Sequence, residues 1–403
     1  MSFRFLDDEA RGGPIGALFP LRRRRSLLFG GLTFEERWRL LLSGRAPGER
    51  GLVLVLNSLA LPEASLIEAI ARTRDERVFT AGEEPIAALV REETLSGEDA
   101  GLREATAGLP STEADGEVAP EPWKMIEGNG ERIARDLDLY HGLDENALEL
   151  RGMATPLEPV DAPEGSAVSG EEGLYLGPEC RIEPFVHFDT REGPIVLGAR
   201  VVVESHATLR GPLWIRNDAR VNGGARIGRG TTVGEGSRVA GEVEATIFGA
   251  FSNKQHEGFL GHASVGEWVN LGAGTDNSDL KNNYGTVRLG WGEGTVDTGL
   301  QKFGCFLGDH VKSAIGTRIG TGTVVGVAGN LFGPAGFVSG YVPPFTWGES
   351  GDVYDFDRAI DTMKVVRARR KAELERAGRP VGIPDRQLNI LRELWERRTG
   401  SGS

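Results

Sequence analysis

The residues with the widest chemical reach fall in one short segment, FSNKQHEGFLGHASVGEWVNLGAGT, from Phe251 to Thr275. It holds His256 and His262, two of the six histidines, together with Lys254. An imidazole titrates near neutral pH, so such a ring can take a proton from an attacking amine or hydroxyl as a general base. On spacing alone, the same histidine reads more readily as a solvated turn residue than as a base. A zinc triad of His256, His262 and His310 fits the spacing poorly, and no metal site is expected. The arginine run Arg22 to Arg25 suits either an anion site for a sugar phosphate or nucleotide, or an internal counterion for acidic neighbours. Asp7 and Asp8 close a first strand, where such a pair either holds a metal or a ribose or simply ends the strand.

These residues must be carried by something, and the carrier is legible as a period. Leu197, Val203, Leu209, Ile215, Val221, Ile227, Val233 and Val239 recur at an unbroken spacing of six. A helix repeats near 3.6 and a strand at 2, so a strict six points to the hexapeptide coil of a parallel β-helix. Three units would close one coil and stack their aliphatics into an interior ladder that no single coil could bury. The hexads open at Leu176 and Ile182. After Val239 the phase slips: Ile247, Phe259, Val265 and Leu271 resume two residues out of register. Leu307, Ile319, Val325 and Leu331 form a third block, with Ser313 in the missing slot. Such slips are expected to eject loops, the largest between Gly274 and Gly304, and insertions of this kind gather on one functional face.

Three units follow. Residues 1–155 read as a small α/β domain, with FRFLDD and GLVLVLN as strands and TFEERWRLLL and SLIEAIART as helices. The polar stretch from Glu92 to Glu121 lacks aliphatic period and is expected to loop. Residues 173–348 form the β-helix. Residues 352–403 read as two helices, DFDRAIDTMKVVRARRKAELERAG and IPDRQLNILRELWERR, that cap the last coil or pack on a neighbour. Trp268, Trp291 and Trp347 are packing residues on this reading.

The bulk numbers narrow the partners. The 403 residues carry a formal charge of −13 with a pI near 5.2, a field that repels phosphate backbones and acidic membranes. No nucleic acid partner is expected. Cys180 and Cys305 give no disulfide framework, the first residues lack an apolar signal core, and no apolar run reaches about 18 residues. A cytoplasmic location without membrane contact is the expectation.

The string around His256 carries a resemblance. HEGFLGHASVG followed by NLGAGT is similar to the acetyltransferase half of GlmU-type enzymes. More of the chain, with FLDD, PWKMIEGNG, TGLQKFGCFLGDH and VPPFTWGE, resembles the GlmU-like sugar nucleotidyltransferases, which join a reduced nucleotidyltransferase-like domain to a left-handed β-helix. The resemblance implies that His256 is the general base toward a sugar amine attacking acetyl-CoA. It also implies that Asn270 and Phe259 contact substrate, and that Asn283 and Tyr284 meet the sugar and the thioester carbonyl. Glu244 stands where those enzymes carry a phosphate-binding lysine, so Lys254 or Arg288 is the substitute cation, and Arg22 matches the arginine of the amino-terminal motif. The glycine-rich GxGTRM loop of full nucleotidyltransferases is missing.

The expected function is therefore an acyl-CoA-dependent acetyltransferase acting on a sugar phosphate or nucleotide-sugar, working as a homotrimer. Two alternatives stand beside it: a sugar-1-phosphate nucleotidyltransferase, with Mg²⁺ only if the amino-terminal domain is active, and a non-catalytic sugar-nucleotide binding scaffold.

Overall fold

Along Leu52–Asn57 the side chains alternate, Leu54 and Leu56 to one side and Val55 to the other, and both sides are buried. Such a strand needs cover on two faces, and it has it. In this computed structural model, which describes residues 3–6, 13–42, 52–94, 102–141, 159–292 and 294–400, it lies inside a five-stranded mixed sheet. The order is Phe3–Leu6, Leu52–Asn57, Glu84–Arg91, Arg77–Ala81 and Ser111–Glu113. Helices Phe34–Leu42 and Ala64–Arg72 cover one face through Trp38, Leu41, Leu66, Ile67 and Ile70. Leu102 and Ala105 of the short helix Leu102–Ala105 cover the other. A capping box starts the helix at Phe34: the Glu36 amide donates to Thr33 Oγ1 at 3.2 Å, and the Thr33 amide donates to Glu36 Oε2 at 2.7 Å.

The polar stretch after Glu92 departs from expectation. Its described part holds that short helix and the strands Ser111–Glu113 and Gly116–Val118. Each strand is three residues long and pairs with a distant partner, Val78 with Ser111 and Ala60 with Val118, so neither shows a period of its own. Asp7 and Asp8 lie outside the described residues.

From Pro159 the chain coils into a parallel β-solenoid. Register gives the coil length directly: Leu197 pairs with Ile215 and Ile215 with Val233, eighteen residues each time, or three hexads. All eight ladder aliphatics are at most 1% exposed. A typical coil runs Ile195–Leu197 on the first face, Val202–Val203 on the second and Thr208–Arg210 on the third before returning to Leu213–Ile215 on the first.

The slip after Val239 is a shortening and not an ejected loop. Val239 pairs with Lys254 and Val233 with Phe248, fifteen residues apart instead of eighteen. Between Val239 and Val243 only Ala240, Gly241 and Glu242 span the corner from second to third face, two fewer than in a full hexad, and one further residue is missing between Val243 and Phe248. The interior residues beyond are therefore Phe248 and Leu260, not Ile247 and Phe259. Ile247 faces outward beneath the amino-terminal domain, and Phe259 is half-buried.

The real insertion leaves the corner from third to first face. It folds into the hairpin Arg288–Gly290 with Thr295–Asp297, whose Val287 and Leu289 pack with Phe303, Phe306 and Trp123 over the first face. The amino-terminal domain sits on that same face. Trp214 lies so close to Gly31 that a Cβ there would be 2.1 Å from the indole, which is why the position has no side chain. Asn129 Nδ2 donates to the Gly230 carbonyl at 2.9 Å, and Thr232 Oγ1 to that of Gly30 at 2.7 Å.

At the carboxyl end the first expected helix is broken into Phe356–Ala368 and Lys371–Arg376, followed by Asp385–Thr399. The break falls where buried Arg370 turns inward, donates to the Gly236 carbonyl and lies over Phe251. These helices cover the corner from first to second face. Among the described residues, two faces thus keep their outer surfaces largely clear of the other units.

Candidate active site

His256 stands on the corner between Asn253–Lys254 of the second face and Phe259–Gly261 of the third. The corner beneath, at Ala240–Glu242, is the shortened one, so the His256 corner overhangs it. Asn222, two coils below, reaches past the gap and donates from Nδ2 to the Gln255 carbonyl at 3.1 Å. The His256 ring is exposed at the rim of a groove of about 200 Å³. Asn253, Asn270, Gly272, Ala273 and Ile315 form its walls. Ile315 is 81% exposed and gives the groove an apolar lip. Asn270, exposed beside it, holds its place through backbone bridges to Asn253 and Lys312.

Lys254 corrects an expectation. It occupies an interior ladder slot, above Val239 and 1% exposed, so its ammonium does not meet a ligand at the surface. Nζ donates instead to the carbonyls of His256 at 3.0 Å and Ala240 at 3.3 Å. Gly241 makes the room, since a Cβ there would stand 2.9 Å from Nζ. Burial disfavours the charged form and lowers the Lys254 pKa to about 8, although Asp276 and Glu257 offset part of the shift.

The other expected site residues are scattered within one chain. Asn283 Oδ1 accepts from the Gly285 amide at 3.0 Å inside the insertion, and Tyr284 is 65% exposed with φ +56°. Arg288 is exposed on the hairpin opposite Asp297. Phe259 belongs to the third face, its amide donating to Asp276 Oδ1 at 2.6 Å. None of these four lines the groove at His256. Arg22 takes the internal-counterion side of its two readings. It is buried, with Nη2 2.9 Å from Asp309 Oδ1 and Nη1 3.8 Å from Glu267 Oε1. Burial opposes its charge, but Asp309 and Glu267 outweigh that and hold the guanidinium above its ordinary value. Arg379 grips the same Glu267 from the carboxyl-terminal segment. Arg22 is thus a clamp joining three parts of the chain.

One pairing was not legible. His262 Nδ1 lies 2.8 Å from Asp279 Oδ2, and although burial opposes ionisation, the His262 contact keeps the Asp279 carboxyl below its usual range. The seventeen-residue separation is near one coil, which is the signal that could have found it. His310 is buried against Trp268 and pushed down to about 3 by that burial. Among the described residues no group of three or more His, Cys, Asp and Glu is placed to hold a metal ion, and no helix is long and apolar enough to cross a membrane.

Comparison with known proteins bears mainly on the amino-terminal part. The family model described as sugar nucleotidyl transferase matches residues 16–142, about a third of the chain. A curated bifunctional sugar-1-phosphate nucleotidylyltransferase/acetyltransferase from Sulfurisphaera tokodaii is 28% identical over 91 residues, 23% of each chain. The match therefore spans under a quarter of that relative's length. Among solved structures, a Bacillus cereus protein described as an acetyltransferase aligns with 59% of this chain and 99% of its own, at 9% identity and TM-score 0.23. A hexapeptide transferase family protein from Anaplasma phagocytophilum aligns with 59% and 94%, at 10% identity and TM-score 0.14. The resemblance read from the motifs is thus matched on the sequence side: residues 16–142 match the sugar nucleotidyl transferase family model, and a parallel β-solenoid follows them in the same chain.

Proposed function

We propose that this chain is an acyl-CoA-dependent acetyltransferase whose acceptor is an amine or hydroxyl of a sugar phosphate or nucleotide-sugar. The observation that carries this reading is the exposed His256 on an overhanging corner, beside Asn270 and a groove with an apolar lip. His256 takes the proton of the acceptor as its nitrogen or oxygen attacks the thioester carbonyl. The C–S bond then breaks, and the departing thiolate of CoA takes up that proton. Asn283 and Tyr284 sit on a different corner of the prism, so a neighbouring copy is the natural source of those contacts, and the proposed assembly is a homotrimer. The bifunctional name of the Sulfurisphaera tokodaii relative supports acetyl transfer as one of two chemistries. A cytoplasmic location goes with such donors.

The test is CoA release from acetyl-CoA with a panel of amino-sugar 1-phosphates and their nucleotide-linked forms. We expect His256→Ala to lower turnover by about 100- to 10,000-fold. Undiminished CoA release in that variant, or none from the wild type with any acceptor, removes the reading.

A second reading has its own observation, the family match over residues 16–142. On that reading sugar-1-phosphate nucleotidyl transfer belongs to the amino-terminal domain, Mg²⁺ would be needed only if that domain is active, and the solenoid serves assembly. Pyrophosphate release that survives His256→Ala would favour it, and nucleotide-sugar binding with no turnover would favour a scaffold.

A further inference from the structure

The corner that carries His256 is longer than the corner it rests on. Two backbone bonds bracket the pair: the Ala240 amide donates to the Lys254 carbonyl at 2.6 Å, and the Glu242 amide to that of Gly258 at 3.1 Å. Between those bonds the lower corner has only Gly241, and the upper has Gln255, His256 and Glu257. A single residue cannot supply ladder partners for all three above it, so their carbonyls must be met from elsewhere. The Gln255 carbonyl accepts from Asn222 Nδ2 at 3.1 Å, that of Glu257 from the Gly274 amide at 3.0 Å, and that of His256 from Lys254 Nζ at 3.0 Å.

The third of these contacts differs from the other two. It comes from inside the prism, from a side chain 1% exposed, and its second bond, 3.3 Å to the Ala240 carbonyl, ties the upper corner to the short one. The charged groups facing the ammonium are Asp276, from the next coil, and Glu257, on the corner itself, and both favour its charged form against burial. A buried ammonium costs stability where an aliphatic would not. The slot directly below holds Val239, so the position in the ladder does not itself call for a lysine. What calls for one is the His256 carbonyl, which an aliphatic at 254 would leave without this donor.

We propose that Lys254 is a positioning residue for His256: by fastening the His256 carbonyl to the corner below, its ammonium fixes the imidazole at the rim of the groove, in place for proton transfer. The effect on rate rests on the general-base reading of His256, whereas the tether itself does not. With its pKa lowered to about 8, the amine loses the charge-assisted part of both bonds above that pH, and the corner loosens.

The full chain and its Lys254→Met variant are compared in two measurements. The first is cleavage by a glutamate-specific protease at pH 7 after Glu257, which is exposed on the corner, with exposed Glu171 as the reference. The variant should be cut about tenfold faster after Glu257 and no faster after Glu171, the effect of one hydrogen bond on local opening. The second is CoA release. In the variant kcat should fall by about 10- to 100-fold with KM for acetyl-CoA unchanged, as for a displaced catalytic group. The decline in kcat expected of the wild type above pH 8 should be absent. If circular dichroism shows that Lys254→Met does not fold, Lys254→Gln, which keeps a neutral donor, takes its place and should lose the alkaline decline in the same way. Unchanged cleavage after Glu257, or cleavage raised equally after Glu171, overturns the tether. Faster cleavage after Glu257 with unchanged kcat overturns the positioning role. A wild type that releases no CoA removes the general-base reading and with it the positioning role, and cleavage after Glu257 then decides the tether alone.

Discussion

The coils from Leu197 to Val239 and those from Val239 to Leu271 are made by the same rule and differ in one respect. In the first set each ladder position follows the last by six residues, and every ladder slot is aliphatic and dry. In the second set the corner from Val239 to Val243 loses two residues, the next, to Phe248, loses one, and an inward slot holds Lys254. The regular coils offer no exposed side chain on an overhanging corner. The irregular ones hold His256 clear of the corner below, with a buried ammonium under its backbone. Regularity thus builds the prism, and a local deficit of chain opens a place for chemistry.

Breaking the regular coils should cost the most. Leu209→Ala removes an aliphatic at 0% exposure, and we expect a loss of about 2–5 kcal/mol in urea unfolding, with no dependence on pH beyond that of the wild type. In the irregular coils the expected signature is a pH slope. The folded Lys254 pKa of about 8 lies below the ordinary 10.5, so below pH 8 both states carry the charge and the folded state bears its full burial penalty. As pH rises from about 8 to 10.5 the folded state gives up its proton first and stability climbs by about 3 kcal/mol. Lys254→Met should flatten that climb, and an unchanged slope in the variant would show that the ammonium is not the source. The smallest effect is expected for Asn222→Ala, which removes the strut to the Gln255 carbonyl. It should lower stability by about 1 kcal/mol and reduce CoA release more than that loss of folded protein accounts for.

Much of the prism was legible because its period is strict and its interior residues are interchangeable aliphatics. The sense of the slip was not. A shift of phase looks the same whether residues are added or removed, and only the pairing of Val239 with Lys254 separates the two. Lysine also hides its position, since a long polar side chain in an interior slot reads as surface. For Arg22 the counterion half of the reading was legible but its partner was not: Asp309 lies 287 residues away, and no local pattern announces it. The short strands Ser111–Glu113 and Gly116–Val118 escaped because three residues are too few to show alternation. Helices Phe34–Leu42 and Ala64–Arg72 were readable from their own apolar faces.

The clamp of Arg22 on Asp309 and Glu267, with Arg379 on the far side, sets an order of events during synthesis. Neighbouring coils need partners only about eighteen residues back, so the solenoid can wind as it leaves the ribosome. The amino-terminal segment is made first but must wait for Asp309, and the last helices close after that. Loop closure over such distances is slow compared with coil addition. The junction of the three parts should therefore be the last to form and the first to open, and amide exchange at Arg22 and Arg379 should be faster than at Val221.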